Sequence, residues 1–197
     1  SSAASDVYKR QAGKYATLSR TAALSRQLSI FFKYYIRSIL KNGEYHIDGE
    51  KKLTERNATI VYSGGDDVFI VGAWNEVIEL SIDLQEKFKK YTQGTLSISS
   101  GIGIYECTYP IGAIANETGE MEAESKRMPE KDSVTLMDDG ETHLINELEI
   151  CDGTYRWEEL YKSVLGEKYD VIQDFLGESD ERGMSFLYRM LELIRNQ

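Results

Sequence analysis

Cysteine is scarce in this sequence, and long apolar runs and secretory features are absent from it. The only two cysteines, Cys107 and Cys151, lack the spacing of metal-binding or redox motifs. No apolar run approaches the roughly 20 residues that a membrane span needs, and the first residues contain no continuous apolar segment of a signal peptide. We therefore expect a soluble protein of the reducing cytoplasm that has no contact with membranes.

Positive charge is also scarce, except near the N-terminus. The 33 acidic residues outnumber the 23 basic residues and give a net charge of −10, which argues against a protein whose whole surface binds nucleic acid. Residues 1–41, however, hold 8 Lys and Arg residues against one acid, Asp6. This basic segment is either the solvated face of a helix or a surface that lies near phosphates or an acidic partner.

The spacing of apolar residues predicts a mixture of helices and strands. In chain order, it predicts a helix over 15–40, strands over 58–62 and 67–73, a helix over 75–91, a strand over 96–105, a helix over 110–128 and a strand over 133–137. The first two strands are apolar almost without interruption, so we expect them at the centre of a sheet that is covered on at least one face. The aromatic pairs Phe31-Phe32 and Tyr34-Tyr35 are expected in the core rather than as a base-stacking platform.

This order of elements predicts an α/β (α+β) fold, namely a ferredoxin-like βαββαβ palm that lacks its first strand. We expect residues 13–146 to form this domain. Residues 147–197 carry two helical stripes and predict the start of a truncated all-helical domain. Residues 1–12 have neither helical nor strand periodicity and resemble translated sequencing-adapter read-through, so we expect a non-native or disordered segment there.

Two glycines and two aspartates separate the two apolar strands. Gly64 and Gly65 tolerate the positive φ angles of a tight hairpin turn and let a phosphate group approach the backbone. Asp66 and Asp67 supply hard oxygen ligands for Mg²⁺, and their mutual repulsion favours a bound cation. From these residues alone, the turn is either a solvated hairpin or a site for a nucleoside triphosphate and its metal.

The segment IVYSGGDDVFIVGAW over 60–74 resembles the GGDD motif of the cyclase-type palm in the large subunit of type III CRISPR effector complexes. The similarity extends to TLSRTAALSRQLSIFFKYYI over 17–36, SISSGIGIY over 97–105 and ETGEMEAESKRM over 117–128. It covers nearly everything from about residue 13 to residue 197, and subtype III-A is the best match.

The resemblance implies that the palm binds ATP with Mg²⁺ or Mn²⁺ and, within an RNA-guided complex, joins ATP into cyclic oligoadenylates in antiviral defence. It implies other subunits, guide RNA and target RNA as partners. The site residues that it implies are the catalytic metal ligands Asp66 and Asp67 and the nucleotide-binding residues Ser63, Gly64, Gly65 and Lys126, with Ser99 and Ser100 as secondary candidates. Lys126 is alternatively a solvated residue at the end of a helix.

The sequence also departs from the pattern of this family. It lacks the first palm strand with its aspartate, the HD nuclease domain and the zinc-binding cysteines, and neither His46 nor His143 is directly followed by Asp. We therefore expect that the single-stranded DNase activity of the full subunit lies outside this chain, and that the chain alone makes little or no cyclic product. Two alternatives stay open: a diguanylate cyclase, which usually carries Glu at the position of Asp67, and a non-catalytic palm scaffold.

Overall fold

A computed structural model describes residues 18–49, 52–65, 67–138 and 140–177 of the chain. The contacts divide the chain into two compact units, 1–157 and 158–197. No helix in the described residues is both long and apolar enough to cross a membrane. The expectations for residues 1–12 and for the helical stripe over 184–197 lie outside the described residues, and the domain boundary at 146 stays a prediction.

The first unit begins with a helical segment that contains one widened turn. It consists of α1 (Leu18–Ile30), a π-helical turn (Phe31–Tyr35) and α2 (Ile36–Lys41). Phe31 and Phe32 are buried, as predicted, but Tyr34 is 70% exposed and Tyr35 is 51% exposed, so the expectation that both tyrosines lie in the core is wrong. The run FFKYY spans more than one helical turn, so its aromatic side chains cannot all point to the same side.

The next elements are the predicted hairpin and the helix that supports it. Strands β1 (Ala58–Gly64) and β2 (Asp67–Gly72) pair antiparallel, and helix α3 (Trp74–Tyr91) packs on β2 while the π-helical turn packs on β1. Among the described residues, these strands form a sheet of their own. The expected central position is therefore wrong: the outer face is uncovered and leaves Val61, Tyr62 and Val71 exposed.

A second sheet of three strands follows in the order β3-β4-β7. Its strands are β3 (Ser100–Ile102), β4 (Ser133–Leu136) and β7 (Thr154–Arg156). β3 and β4 are parallel, as a crossover helix between them requires, and that helix is α4 (Ile111–Ser125). The predicted strand over 96–105 is thus shorter than expected, although Leu96 and Ile98 are buried ahead of it.

The remaining elements are a small hairpin and a helical tail. β5 (Thr142–Ile145) and β6 (Leu148–Cys151) pair antiparallel around a two-residue turn with positive φ at Asn146 and Glu147. α5 (Trp157–Glu159) follows β7, and the second unit continues with a π-helical stretch (Leu160–Lys168) and α6 (Tyr169–Gly177). The mixed α+β class is confirmed, and strands β5 to β7 add to what the sequence predicted.

Candidate functional site

The candidate site is the tip of the β1–β2 hairpin. Gly64 pairs with Asp67 at the last step of the ladder, and Gly65 has a φ of 65°, a left-handed conformation that glycine adopts without strain. A Cβ atom added at Gly65 would have no neighbour within 4 Å. The backbone at Gly65 is therefore open to a ligand, as predicted for a phosphate contact, and the Asp67 side chain is exposed beside it. Asp66 lies outside the described residues.

Tyr62 covers the other glycine of the turn. Residues i and i+2 of a strand share a face, and a Cβ atom on Gly64 would collide with the Tyr62 ring and hydroxyl. The Tyr62 side chain is 57% exposed, so it is held by few neighbours and has room to rotate. A phosphate that approaches Gly64 must displace Tyr62, a role that the sequence analysis did not assign but that the Tyr-x-Gly spacing on a strand could have indicated.

Ser63 is fixed by the helical segment beside it. Its hydroxyl donates a hydrogen bond of 2.8 Å to the carbonyl oxygen of Phe32, inside the π-helical turn. In that turn the Ile36 N–H bonds to the Phe31 carbonyl five residues back, so the hydrogen-bond ladder is looser than in an α-helix. The Ser63 hydroxyl thus ties the end of β1 to the first helix, although its oxygen can still accept a hydrogen bond from a ligand.

Lys126 lies beside the hairpin tip, close enough for the charge of Asp67 to act on it. Its ammonium group is 2.8 Å from Glu122 Oε1, one turn earlier at the end of α4. Burial lowers the pKa of Lys126, but the hydrogen bond to Glu122 and the negative charges of Glu122 and Asp67 outweigh this effect, so the pKa is raised above its ordinary value. The structure therefore places a firmly charged lysine next to the turn, and it adds Glu122, which the sequence analysis did not select.

The tip fits a magnesium ion in its donor chemistry. Mg²⁺ is usually held by one or two carboxylates together with substrate phosphates and water, and Asp67 offers an exposed carboxylate next to open backbone. In the part of the chain that the structure describes, no group of three or more His, Cys, Asp and Glu side chains is arranged to hold a metal by itself. A metal at this tip would therefore depend on Asp67, on Asp66 and on the oxygen atoms of a bound nucleotide.

Ser99 and Ser100 belong to the three-stranded sheet. The Ser99 hydroxyl donates to the Lys131 carbonyl at 2.6 Å, and Ser100 begins β3 and pairs with Val134. Next to them, a Cβ atom on Gly101 would collide with the backbone of α4 at Thr118 and Glu122. The small residues of this strand therefore let α4 approach the sheet, and that approach fixes the end of the helix that carries Lys126.

The histidines and cysteines do not form a nuclease-like pair in sequence, but one histidine finds a partner in space. His143 Nδ1 lies 2.7 Å from Asp152 Oδ1 across the β5–β6 hairpin, and both side chains are about half exposed. Cys107 is exposed and Cys151 is buried, and the Cys151 thiol lies 3.3 Å from Asp138 Oδ1. These groups lie outside the hairpin tip.

Comparison with curated proteins gives relatives of one kind. The chain is 44% identical over 183 residues to the "CRISPR system single-strand-specific deoxyribonuclease Cas10/Csm1 (subtype III-A)" of Mycobacterium tuberculosis. It is 40% identical over 184 residues to the protein of the same description from Enterococcus italicus. The alignment with the first covers 92% of this chain and 21% of that protein, so the chain spans about a fifth of the length of these relatives.

Solved structures agree with these relatives. The Csm1-Csm4 cassette in complex with one ATP superposes with a TM-score of 0.59 at 28% identity, over 74% of this chain and 21% of that chain. The family profile described as the Cas10/Cmr2 second palm domain matches residues 4–135. By this match over most of its length, the chain belongs to the Cas10/Cmr2 second palm domain family.

Proposed function

We propose that the hairpin tip binds ATP together with a divalent cation, Mg²⁺ or Mn²⁺. The observation that carries this proposal is the open backbone at Gly65 with the exposed Asp67 carboxylate on one side and the charged Lys126 nearby. One structural neighbour of the same family is in complex with one ATP, and another is in complex with cA3. Both neighbours support ATP as the nucleotide rather than GTP, which a diguanylate cyclase would use.

The residues have separate roles in this proposal. Asp66 and Asp67 hold the metal, the backbone of Gly64 and Gly65 lies along the phosphates, and Lys126 neutralises phosphate charge. The metal, when bound, stabilises the charge that develops as a 3′-hydroxyl attacks an α-phosphate and pyrophosphate leaves. Ser63 contributes by holding the end of β1 against Phe32, and it stays a candidate for direct nucleotide contact.

The full reaction is assigned to the longer protein and its complex. There, the palm would join ATP into cyclic oligoadenylates when guide RNA and target RNA are in place, with a Csm4-type subunit as one neighbour, as in the solved cassettes. Because the chain spans about a fifth of its relatives, we expect the 197 residues alone to bind nucleotide but to make little or no cyclic product.

Isothermal titration of the chain with ATP and Mg²⁺ tests the site. The double variant Asp66→Asn/Asp67→Asn should raise the Kd at least about tenfold, since two charge-assisted metal contacts are lost. The matched control Asp170→Asn/Asp174→Asn removes two exposed acids from α6 and should leave the Kd unchanged. Equal affinity of the hairpin variant and the unmodified chain would contradict the proposal, and a preference for GTP would favour a diguanylate cyclase.

The same double substitution in the longer protein separates catalysis from scaffolding. Loss of cyclic oligoadenylate synthesis with normal assembly of the complex is expected for a catalytic palm. Target-dependent signalling that survives the loss of both aspartates would instead support the non-catalytic scaffold.

A further inference from the structure

The first helical segment has one strongly basic face. We call this the basic face and define it as Arg26, Lys33, Tyr34, Arg37 and Lys41. All five side chains are exposed, and the widened π-helical turn keeps them on the same side of the helix, opposite the buried Phe32, Ile36 and Ile39. No acidic residue occurs over 18–41, although the protein as a whole is acidic.

The positive charges of this face are not neutralised by neighbours. Among the described residues, no ion pair involves Arg26, Lys33, Arg37 or Lys41. Tyr34 lies between the lysines and arginine with 70% of its surface exposed. An exposed aromatic ring within a row of unpaired cations is not explained by packing in the core.

A cavity with aromatic walls lies next to the basic face. It has a volume of about 370 Å³ and is lined by Phe31, Tyr35 and Tyr91, by Lys87 and Lys90, and by Ser38, Ile39, Asn42 and Glu44. The ring centroids of Tyr35 and Tyr91 are 5.4 Å apart, and Tyr35 stacks on Phe31. Lys87 is paired with Glu44 at 2.5 Å and Lys90 with Glu86 at 3.6 Å, so the cavity is a mainly aromatic space with charged groups at its rim.

We propose that the basic face and this cavity together form a binding site for a single-stranded polynucleotide. Proteins that bind single strands combine a row of cations that follows the phosphates with aromatic rings on which bases stack. Lys33, Arg37 and Lys41 supply the row, Tyr34 supplies one stacking surface, and the cavity at Tyr35 and Tyr91 accommodates a base. The site uses other residues than the hairpin tip, so it is separate from the ATP site proposed above.

The aromatic groups favour a polynucleotide over an acidic peptide. An acidic peptide would be attracted by the cations alone and would gain little from Tyr34 or from the cavity. A paired duplex presents its phosphates but keeps its bases stacked inside, so it could not fill the cavity. Among polyanions, the unpaired strand is the one that uses both the charges and the rings.

Fluorescence anisotropy with a labelled 12-nucleotide uridine strand and its thymidine DNA equivalent tests this site, with salt varied from 50 to 200 mM. The variant Lys33→Gln/Arg37→Gln/Lys41→Gln should weaken binding at least about tenfold and flatten the plot of log K against log salt by about 2, since each lost phosphate contact on a single strand removes about 0.7 from the slope. The control Arg156→Gln/Lys162→Gln/Lys168→Gln removes three exposed charges elsewhere and should bind like the unmodified chain. Binding of either strand with this pattern supports the proposal, and the two strands show whether the sugar matters.

The aromatic part is tested by Tyr34→Ala and by Tyr35→Ala. Each should weaken binding about fivefold or more without a change in the salt slope, as expected for a lost stacking contact. Circular dichroism checks that Tyr35→Ala folds, and the exposed Tyr34 keeps the test valid if it does not. The proposal is overturned if the two charge variants bind alike, if Tyr34→Ala binds like the unmodified chain, or if polyglutamate competes as well as the oligonucleotides.

Discussion

At the scale of single residues, Tyr105 has the largest change in acidity that the structure supports outside the hairpin tip. Its ring stacks on Tyr109 with a centroid distance of 5.2 Å, and the Tyr109 hydroxyl donates to Glu117 at 2.5 Å. Burial raises the pKa of Tyr105 to about 12, and the nearby Glu117 carboxylate adds to this effect because it opposes a second negative charge. The neutral phenol is therefore favoured by the folded state.

This shift gives a prediction for the alkaline limb of stability. A folded pKa above the unfolded value of about 10 means that the contribution of Tyr105 is complete below pH 10 and is lost as the pH rises through about 12. Titration of absorbance at 295 nm should show a step near pH 12 in the folded chain, and Tyr105→Phe should remove it. Tyr34→Phe, which changes an exposed ring, should leave that step in place. A step that persists in Tyr105→Phe would show that the assignment is wrong.

Residue roles could be predicted from the sequence only where one local rule decides them. The positive φ of Gly65 follows from its place in a two-residue hairpin turn, so the turn could be predicted. The burial of Phe31 and Phe32 but not of Tyr34 and Tyr35 depends on the π-helical turn, and no local sequence rule fixes where a helix widens by one residue. The Tyr62 side chain over Gly64 depends on a rotamer and was likewise beyond the sequence.

At the scale of elements, the contact between the hairpin and the first helical segment links the candidate site to the core. Ser63 lies one residue before Gly64 and pairs with Val68 on β2, while its hydroxyl donates to Phe32, a residue with 1% of its surface exposed. A net hydrogen bond of this kind stabilises by about 0.5–1.5 kcal/mol. The tip of an isolated two-stranded hairpin would otherwise open readily.

The substitution Ser63→Ala should therefore loosen the tip. Amide hydrogen exchange at Val68 should become about 2- to 10-fold faster, which corresponds to the loss of one such hydrogen bond, whereas Ser63→Thr keeps the hydroxyl and should show a smaller change. Ser81→Ala is the matched control, because Ser81 also donates to a carbonyl, that of Ile78 at 2.6 Å, but within helix α3. If Ser81→Ala accelerates exchange at Val68 as much as Ser63→Ala, the link from Ser63 to Phe32 does not hold the hairpin.

Long elements were predictable and short ones were not. Helix α3 was expected over 75–91 and is found at Trp74–Tyr91, because its 18 residues repeat the apolar stripe several times. Strands β5 to β7 have three or four residues each, too few to show a period of two. β7 exists because it pairs with β4, and such a long-range pairing cannot be derived from local pattern.

At the scale of the whole molecule, one buried arginine holds several elements of the first unit together. The Arg56 guanidinium has no exposed surface and forms ion pairs with Glu79 and, at 2.7 Å, with Asp83 of α3. It also donates to the Tyr45 carbonyl, and its backbone N–H bonds to the Leu40 carbonyl at the end of α2. The same carboxylates accept backbone N–H groups of the loop before β1, Asp83 from Glu44 and Tyr45 and Glu79 from Ile47. Arg56 lies two residues before β1, so this network sets where the hairpin begins.

Removing this arginine should destabilise the fold strongly. Arg56→Ala leaves the buried Glu79 and Asp83 without their counter-charge, which costs about 3–5 kcal/mol for a broken buried pair, and urea unfolding should show it as a lower midpoint with an unchanged m-value. Arg56→Lys keeps the charge but loses the forked donor geometry, so an intermediate loss is expected, and this variant serves if Arg56→Ala does not fold. The control Lys90→Ala breaks an exposed pair on the same helix and should change stability by less than about 1 kcal/mol. Similar midpoints for Arg56→Ala and Lys90→Ala would mean that packing around α3, and not this ion network, determines where β1 starts and where the hairpin tip is held.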